Sequence, residues 1–473
     1  MNNKFGELAK GLAYSVTRTF LCMAAAGQFA ARAGAEDLYV DAGAAPGGDG
    51  SARAPYLRIT DGLERARRDR QGGLGETITI HVAPGTYSGS YSSARLNREP
   101  GLELLPILIN VPNLTLRGAT KLLQDVSELP TGAQPGTETV ITTDEVVSSP
   151  NFTAALILIA PTTDGGSTDG VTVSGFILDP QATVNLPQDG VPELQSIWLD
   201  RVAHFEVRQN IVMRSGDGVR SRMSSGTVSG NLFVGNGFAG AYLSGGNGAY
   251  PANVRIIGNR GFNNVRGGAM LGAFGNTIPL DLGANTLQSP AVILTVDPAS
   301  WPSLLTATVN DNDFSGNVVY GLRCGAYPPD NYYKLKANLT ARLEANVSGN
   351  LFNGNQNYGL VLDASFPPPR SDKNAVSARF DLVLQNNALT GNGRATALFT
   401  FERFTVSLGT DSLKDFKYLS GSLYNLNDTE GETLGFDYDN PLMDPFDGTV
   451  LNNSLIINGT VMPSGIKISP RSP

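Results

Sequence analysis

Histidine, cysteine and tryptophan are nearly absent from this chain, at two of each in 473 residues. His81 and His204 stand far apart, so no histidine-rich metal motif exists, and no P-loop, dinucleotide or zinc spacing occurs either. Cys22 falls in an N-terminal segment with the character of an export signal. Its removal leaves Cys324 alone, and no internal disulfide can then form. Cys324 occupies an inward position of its strand and reads as a buried apolar thiol rather than a nucleophile. Charge is also scarce: Asp, Glu, Lys and Arg make up 16% of the chain. The apolar run Thr19–Ala30 falls short of the roughly 20 residues a membrane helix needs. With Lys4 and Lys10 before it and Ala31-Arg32-Ala33 or Ala33-Gly34-Ala35 after it, residues 1–35 read as a cleaved signal, interrupted by Arg18. A helical or disordered tail is the alternative. Cleavage would leave 31 basic and 42 acidic residues, a net charge of −11 against −8 for the whole chain. That balance argues against nucleic acid and anionic membrane as partners.

Glycine is abundant, at 55 residues, and it belongs to a repeat. From Val207 to Phe399 one phrase recurs: an Asn, a second Asn five residues on, then a Gly followed by alternating apolar positions. It reads Asn231, Asn236, Gly240, then Asn259, Asn264, Gly268. It returns as Asn312, Asn317, Gly321 and as Asn350, Asn355, Gly359. Asn387, Asn392, Thr396 is a degenerate copy, and Asn210, Ser215, Gly218 is one residue shorter before its Gly. Each unit holds two or three short runs with period-2 alternation ending in Asn or Gly, which is strand chemistry. The runs are too short for helical crossovers. Stacked coils solve this, each strand pairing with its equivalent about 4.8 Å further on. Asn suits the bends because it tolerates the left-handed conformation and can bond the turn backbone. Stacked through successive coils, it predicts a polar ladder inside an apolar core.

This pattern resembles the right-handed parallel β-helix, the fold of pectate lyases and their relatives. The segment DLYVDAGAAPGGDGSARAPYLRITDGLERARRDR…TITIHVAPGTYSG, within residues 37–91, is similar to the opening of many secreted β-helix proteins. Physically, Ile59, Leu63 and Ala66 share one face of a short helix. Such a helix can plug the open end of a solenoid, which otherwise exposes strand edges. Thr77–Val82 alternates as the first coil strand, and Pro84-Gly85 turns the chain. Further strands are expected at Pro106–Asn110, Leu114–Arg117, Thr139–Thr142, Ala155–Ile159, Val171–Val173, Phe176–Leu178 and Ser196–Leu199. Loops are expected at Lys121–Pro135, Thr162–Thr168, Pro180–Pro192, Asn276–Thr306 and Tyr327–Lys336. The pattern weakens after Phe399. The reading is therefore an export signal (1–35), an N-terminal cap (36–75), an all-β right-handed parallel β-helix solenoid with loop insertions (76–399), and last coils with an irregular C-terminal cap (400–473).

Aligning the copies on their Gly places Val219, Ala241, Ala269, Leu322, Leu360 and Ala397 inward. The next residue then points outward: Arg220, Tyr242, Met270, Arg323, Val361, Leu398. Ser196-Ile197-Trp198-Leu199-Asp200 fits the same column with Trp198 outward. Two residues on, a second outward column reads Asp200, Arg222, Ser244, Gly272, Gly325, Asp363. The result is a stripe of Trp198, Arg220, Tyr242, Met270 and Arg323 bordered by Asp200, Arg222 and Asp363. Aromatic faces suit the C–H faces of sugar rings, and Arg offers a planar fork to a carboxylate or sulfate. The plainer alternative is a covered sheet face whose Arg222–Asp200 pair is a surface salt bridge.

The resemblance implies an exported or cell-surface protein acting on, or binding, an acidic polysaccharide. Lyases of the fold remove the proton beside a uronate carboxylate with an Arg or Lys base, which makes Arg220 and Arg323 the catalytic candidates. Lys334 and Lys336 lie on a loop as outsiders. Calcium is the one cofactor the resemblance raises, and Asp311/Asp313 and Asp437/Asp439 are its candidate ligands; solvated loop acids are the alternative. The polygalacturonase pattern is absent, since Ser215-Gly216-Asp217-Gly218 holds a single Asp and no Gly-His-Gly exists. The epimerase Asp-Pro-His-Asp pattern is absent too, since Asp179-Pro180 is followed by Gln181. A monomer with a polysaccharide partner is expected. A non-catalytic surface or adhesion protein is the other reading, because fold alone does not choose function.

Overall fold

In a computed structural model, the chain forms a right-handed parallel β-helix. The structure describes residues 35–385 apart from 74–76, 125–128, 146–153, 162–167, 183–193, 247–249, 275–302, 328–338 and 365–375, and beyond 385 a series of strands and turns. Residues 1–34 of the export signal, Lys334, Lys336 and the calcium candidate Asp439 lie outside the described residues.

Among the described residues three sheets of 13, 11 and 7 strands line the coil, parallel throughout except for Thr460–Val461, which pairs antiparallel with Leu455–Ile457 at the end of the 13-stranded sheet. A single turn shows the plan. Phe205–Arg208 belongs to the 13-stranded sheet, Ile211–Met213 to the 7-stranded sheet and Val219–Arg222 to the 11-stranded sheet. The next turn repeats this with Gly226–Ser229, Leu232–Val234 and Ala239–Ser244, each paired in parallel with its predecessor. Right-handed crossover is the rule for parallel strands of one sheet. Inward side chains from all three sheets meet in one continuous core, with Phe176, Phe205, Phe233, Phe314 and Phe352 fully buried along it.

Two polar ladders run along the corners of this core. The first joins Asn210, Asn231, Asn259, Asn312, Asn350 and Asn387; from Asn231 on, each Oδ1 accepts from the backbone N–H and the Nδ2 of the Asn one coil earlier, and Asn210 Oδ1 accepts from Phe176 N. The second joins Ser215, Asn236, Asn264, Asn317, Asn355 and Asn392. One detail differs from the sequence expectation. The left-handed residue of each bend is not the ladder Asn but the residue before it. In the first ladder these are Gln209, Gly230, Gly258, Asp311 and Gly349, with φ from 54° to 68°. The ladder Asn itself must turn its amide inward to bond its neighbours, and the preceding residue absorbs the strained turn. Gly there costs least, which explains the recurring Gly-Asn pairs.

The helix Ile59–Gln71 closes the N-terminal end, burying Ile59, Leu63 and Ala66. Gly62 lets it approach closely, since a Cβ there would lie 3.3 Å from Val40 and 3.4 Å from Ile80. Its first turn has no side-chain cap of its own. Glu103 supplies one from the coil, accepting from Ile59 N at 2.5 Å and Thr60 N at 3.0 Å. Burial pushes the Glu103 carboxyl up to about 7.

The strand expectations hold at Ile107–Ile109, Leu114–Gly118, Thr139–Thr142, Ala154–Ile159, Thr172–Ser174, Ile177–Asp179 and Leu194–Asp200. Three details are corrected. Ile78–Val82 is preceded in its sheet by Glu36–Val40, which pairs with it residue for residue. The Lys121–Pro135 loop carries an antiparallel pair, Leu122–Gln124 with Pro130–Ala133. The Asn276–Thr306 insertion ends earlier, because Ser303–Asn310 is already a strand. Past residue 400, Phe404–Leu408 and Leu455–Ile457 extend the 13-stranded sheet, while Gly435–Tyr438 and Ile468–Pro470 extend the 11-stranded one.

Candidate functional site

The 11-stranded sheet carries the stripe. Its register sets Trp198 beside Arg220, Arg220 beside Tyr242, Tyr242 beside Met270, Met270 beside Arg323 and Arg323 beside Val361. The inward partners Val219, Ala241, Ala269, Leu322 and Leu360 lie in the core. The alternation places these columns, and the pairing follows from one coil stacking on the next.

Burial along the stripe departs from an open surface. Arg220, Tyr242 and Arg323 are half-buried, but Trp198, Met270, Asp200 and Arg222 are buried. Trp198 is covered because the column continues apolar before it. Leu158 pairs with Trp198 and Leu108 with Leu158, and these form a cluster outside the main core. Met270 packs with Ala239, Phe238 and Tyr242 in a second such cluster. The Arg222–Asp200 pair is therefore not a surface salt bridge. Arg222 Nε donates to Asp200 Oδ1 at 2.7 Å, both side chains are less than a tenth exposed, and Arg201 Nε reaches Asp200 Oδ2 at 3.1 Å. Removing either partner of such a buried pair strands a charge, at a cost of about 3–5 kcal/mol. Asp363 falls opposite Gly325 in the same column.

Arg220 is the centre of what remains. Its guanidinium lies over Trp198 at 5.6 Å and over Tyr242 at 5.0 Å from the ring centroids. Two π faces thus hold one cation from both sides along the stack. Beneath it sits Asp217, which is 1% exposed and whose Oδ2 lies 3.5 Å from Arg220 Nη1. Asp217 Oδ1 accepts from Ala239 N at 3.3 Å, and Asp217 N donates to Gln195 Oε1 at 2.5 Å. Burial pushes the Asp217 carboxyl up to about 6. Burial likewise raises the phenols of Tyr242 and Tyr320, which stay neutral and protonated.

Sequence reasoning missed the column to which Asp217 belongs. The residue before each aligned Gly reads Gln195, Asp217, Ala239, Gly267, Tyr320, Tyr358, and it faces outward beside the stripe. Register pairs Gly267 with Tyr320 and Tyr320 with Tyr358. The Tyr320 ring lies across Gly267, where a Cβ would fall 2.2 Å from its Cδ2 and Cε2. Its hydroxyl reaches Met270 Sδ at 3.7 Å. Phe238 stands 6.0 Å from Tyr242, with Arg266 5.6 Å over its ring. The signal was present in the copies, one position before the Gly, but strict alternation assigns that position inward. The bend at the Gly resets the alternation.

Trp198 Nε1 is buried and has no hydrogen-bond partner among the described residues. Elsewhere, Cys324 is buried in the core, and burial pushes its thiol up to about 12, so it is no nucleophile. His204 is exposed in a turn, and His81 stacks on Tyr39 and meets Asp37 Oδ1 at 2.7 Å. Among the described residues no group of three or more His, Cys, Asp and Glu is arranged to hold a metal, and Asp313 faces Arg260 at 3.5 Å. A separate cleft of about 660 Å³, lined by Tyr39, His81, Arg117, Lys121 and Gln209, lies on the 13-stranded sheet, away from the stripe. No helix of the described residues is long and apolar enough to cross a membrane.

No family model matches this chain. No curated protein matches it. Among solved structures it is similar to ORF18 of Geobacillus virus E2, at 13% identity and a TM-score of 0.31 over 71% of this chain, spanning about half (54%) of that one. It is similar to the A-module of the mannuronan C-5 epimerase AlgE4 of Azotobacter vinelandii, at 14% identity and a TM-score of 0.34, covering 84% of this chain and 87% of that. It is also similar to PfbA, a surface adhesin of Streptococcus pneumoniae, at 10% identity and a TM-score of 0.35, covering 80% and 82%. At such identities and scores these likenesses say nothing about what this chain binds or does.

Proposed function

We propose that this chain recognises an acidic polysaccharide, laid along the coil axis across the stripe of Arg220, Tyr242, Met270 and Arg323. The observation that carries the reading is the in-register stack of Arg220 between Trp198 and Tyr242. The guanidinium lies over both rings, and its fork of N–H donors suits a carboxylate or sulfate. Tyr242 and Met270 offer apolar area to the faces of sugar rings. A polymer crossing the strands meets one such side chain in each coil.

Recognition fits this geometry better than catalysis. Arg220 and Arg323 are three strand steps apart, about 14 Å at the usual inter-strand spacing. They therefore address different units of a polymer rather than one reacting sugar. In the lyase reading, one of them takes the proton beside a uronate carboxylate, and a separate cation such as calcium would neutralise that carboxylate. Export to the periplasm or outside belongs to the same proposal.

The test is a titration of the purified protein with oligouronates and with neutral oligosaccharides of the same length. Unsaturated products and reducing ends are followed in parallel. Saturable oligouronate binding is expected. Arg323→Ala should weaken it about tenfold or more, less so at high salt, and Tyr242→Ala should weaken charged and neutral ligands alike. Undiminished binding by the triple Arg220, Tyr242, Arg323 to Ala variant would remove the stripe as the site. Product formation would convert the reading from recognition to processing.

A further inference from the structure

We propose that Asp217 is a positioning residue whose own protonation sets the charge that Arg220 presents, so that the site takes up anions more tightly in mild acid. This rests on the reading of the stripe as an anion-recognising face, and it adds a residue and a pH response to that reading.

The geometry is unusual for a buried carboxylate. Asp217 is 1% exposed, yet among the described residues its oxygens have only two long contacts, Ala239 N at 3.3 Å and Arg220 Nη1 at 3.5 Å. A carboxylate has about four lone-pair sites to satisfy, and burial without them favours the neutral acid. Arg220 meanwhile lies over the Trp198 and Tyr242 rings, with its Nη1 3.5 Å from Asp217 Oδ2. The two groups thus share a site without forming a tight salt bridge. The groups that face Asp217 are Gln195 from the strand before, Arg220 on the strand that follows its bend, and Ala239 N–H and Tyr242 from the next coil. Tyr320 and Arg323 lie beyond. The tyrosines, raised by burial, stay protonated through the neutral range. Asp217 is the one member of this group that titrates in mild acid, with burial pushing it up to about 6.

The consequence follows from charge. With Asp217 ionised, an incoming carboxylate at Arg220 meets a like charge just below the cation, and part of the Arg220 field is already cancelled. With Asp217 protonated, both penalties disappear. By linkage, the anion that binds the protonated form better also raises the proton affinity of Asp217.

Trp198 is a built-in reporter, because the chain has two tryptophans and the other, Trp301, lies outside the described residues. In a Trp301→Phe background, Trp198 fluorescence is titrated from pH 8 to pH 4.5. It is then titrated with a trigalacturonate, its neutral counterpart and inorganic sulfate at pH 7.5 and pH 5. A single fluorescence step near pH 6 is expected, absent in Asp217→Asn, because protonation removes the negative charge beside the Arg220–Trp198 contact. Trigalacturonate and sulfate should bind about tenfold more tightly at pH 5 than at pH 7.5, with the neutral sugar unchanged. Asp217→Asn should bind tightly at both. No step in the parent, or one that persists in Asp217→Asn, overturns the proposal even without any ligand. A step with pH-dependent sulfate binding but no trigalacturonate binding sinks the polysaccharide reading and leaves Asp217 in its role. A step with pH-independent binding of both anions overturns the role.

Discussion

Replacing Asn312 by Leu tests the ladder where its bonds can be counted. Asn312 Oδ1 accepts from Asn259 N and Asn259 Nδ2, each at 2.9 Å. Its Nδ2 donates to Ile256 O at 2.9 Å, Asn310 O at 3.0 Å and Asn350 Oδ1 at 2.9 Å. Leu keeps the backbone bond from Asn312 N to Asn350 Oδ1 but removes all five of these. Asn259 Nδ2 retains Val228 O and Ile257 O, whereas the Asn259 backbone N–H is left buried without an acceptor. One such orphan costs about 1–3 kcal/mol, and the other lost bonds add about 1 kcal/mol each. Burying the Leu side chain returns about 2 kcal/mol. The expected net loss is about 3–5 kcal/mol, read from guanidinium unfolding followed by circular dichroism. Asn253→Leu, at an exposed position of the neighbouring strand, serves as the control and should lie within about 0.5 kcal/mol of the parent. Asn312→Leu combined with Asn350→Leu should cost less than the sum, because the two share a bond. If Asn312→Leu unfolds with the control, the ladder contributes no stability and the reasoning fails.

Three further outcomes are expected. Glu103 holds its proton more tightly folded than unfolded, so its contribution is full below about pH 4.5 and is lost as the pH rises through about 7. Glu103→Gln should therefore flatten the pH dependence of stability across that window by up to about 3 kcal/mol; an unchanged slope in pH-dependent unfolding would refute it. Gly267→Ala should destabilise by about 1–3 kcal/mol by driving a Cβ into the Tyr320 ring, and Tyr320→Ala in the same chain should recover part of the loss. Deleting residues 37–70 should give an insoluble or oligomeric product, since the strand Glu36–Val40 and the helix over Val40 and Ile80 both disappear; a soluble monomer with native circular dichroism would show that the segment is not a lid.

The sequence by itself determined the architecture and the register. A repeat whose phase is marked by Asn and Gly leaves little freedom: a one-residue slip would turn Val219, Ala241 and Leu322 outward and break every Asn contact. That is why the pairing of Trp198, Arg220, Tyr242, Met270 and Arg323 was legible, and why Ile59, Leu63 and Ala66 could be placed on one helix face. Local geometry was less legible. The left-handed residue proved to be the one before each ladder Asn, because the bend must free the Asn amide to point along the axis. What tertiary structure alone decided was burial and company outside the core. Alternation says which way a side chain points, not what stands over it. Trp198 and Met270 are buried on an outward face by Leu158 and by Phe238 and Ala239, and Asp200 and Arg222 form a buried ion pair there. Asp217 came to lie under Arg220 because the bend at Gly218 reverses the alternation, a change of direction that a strand pattern does not encode. The poorly satisfied carboxylate and the ring-clamped guanidinium exist only once three successive coils are stacked.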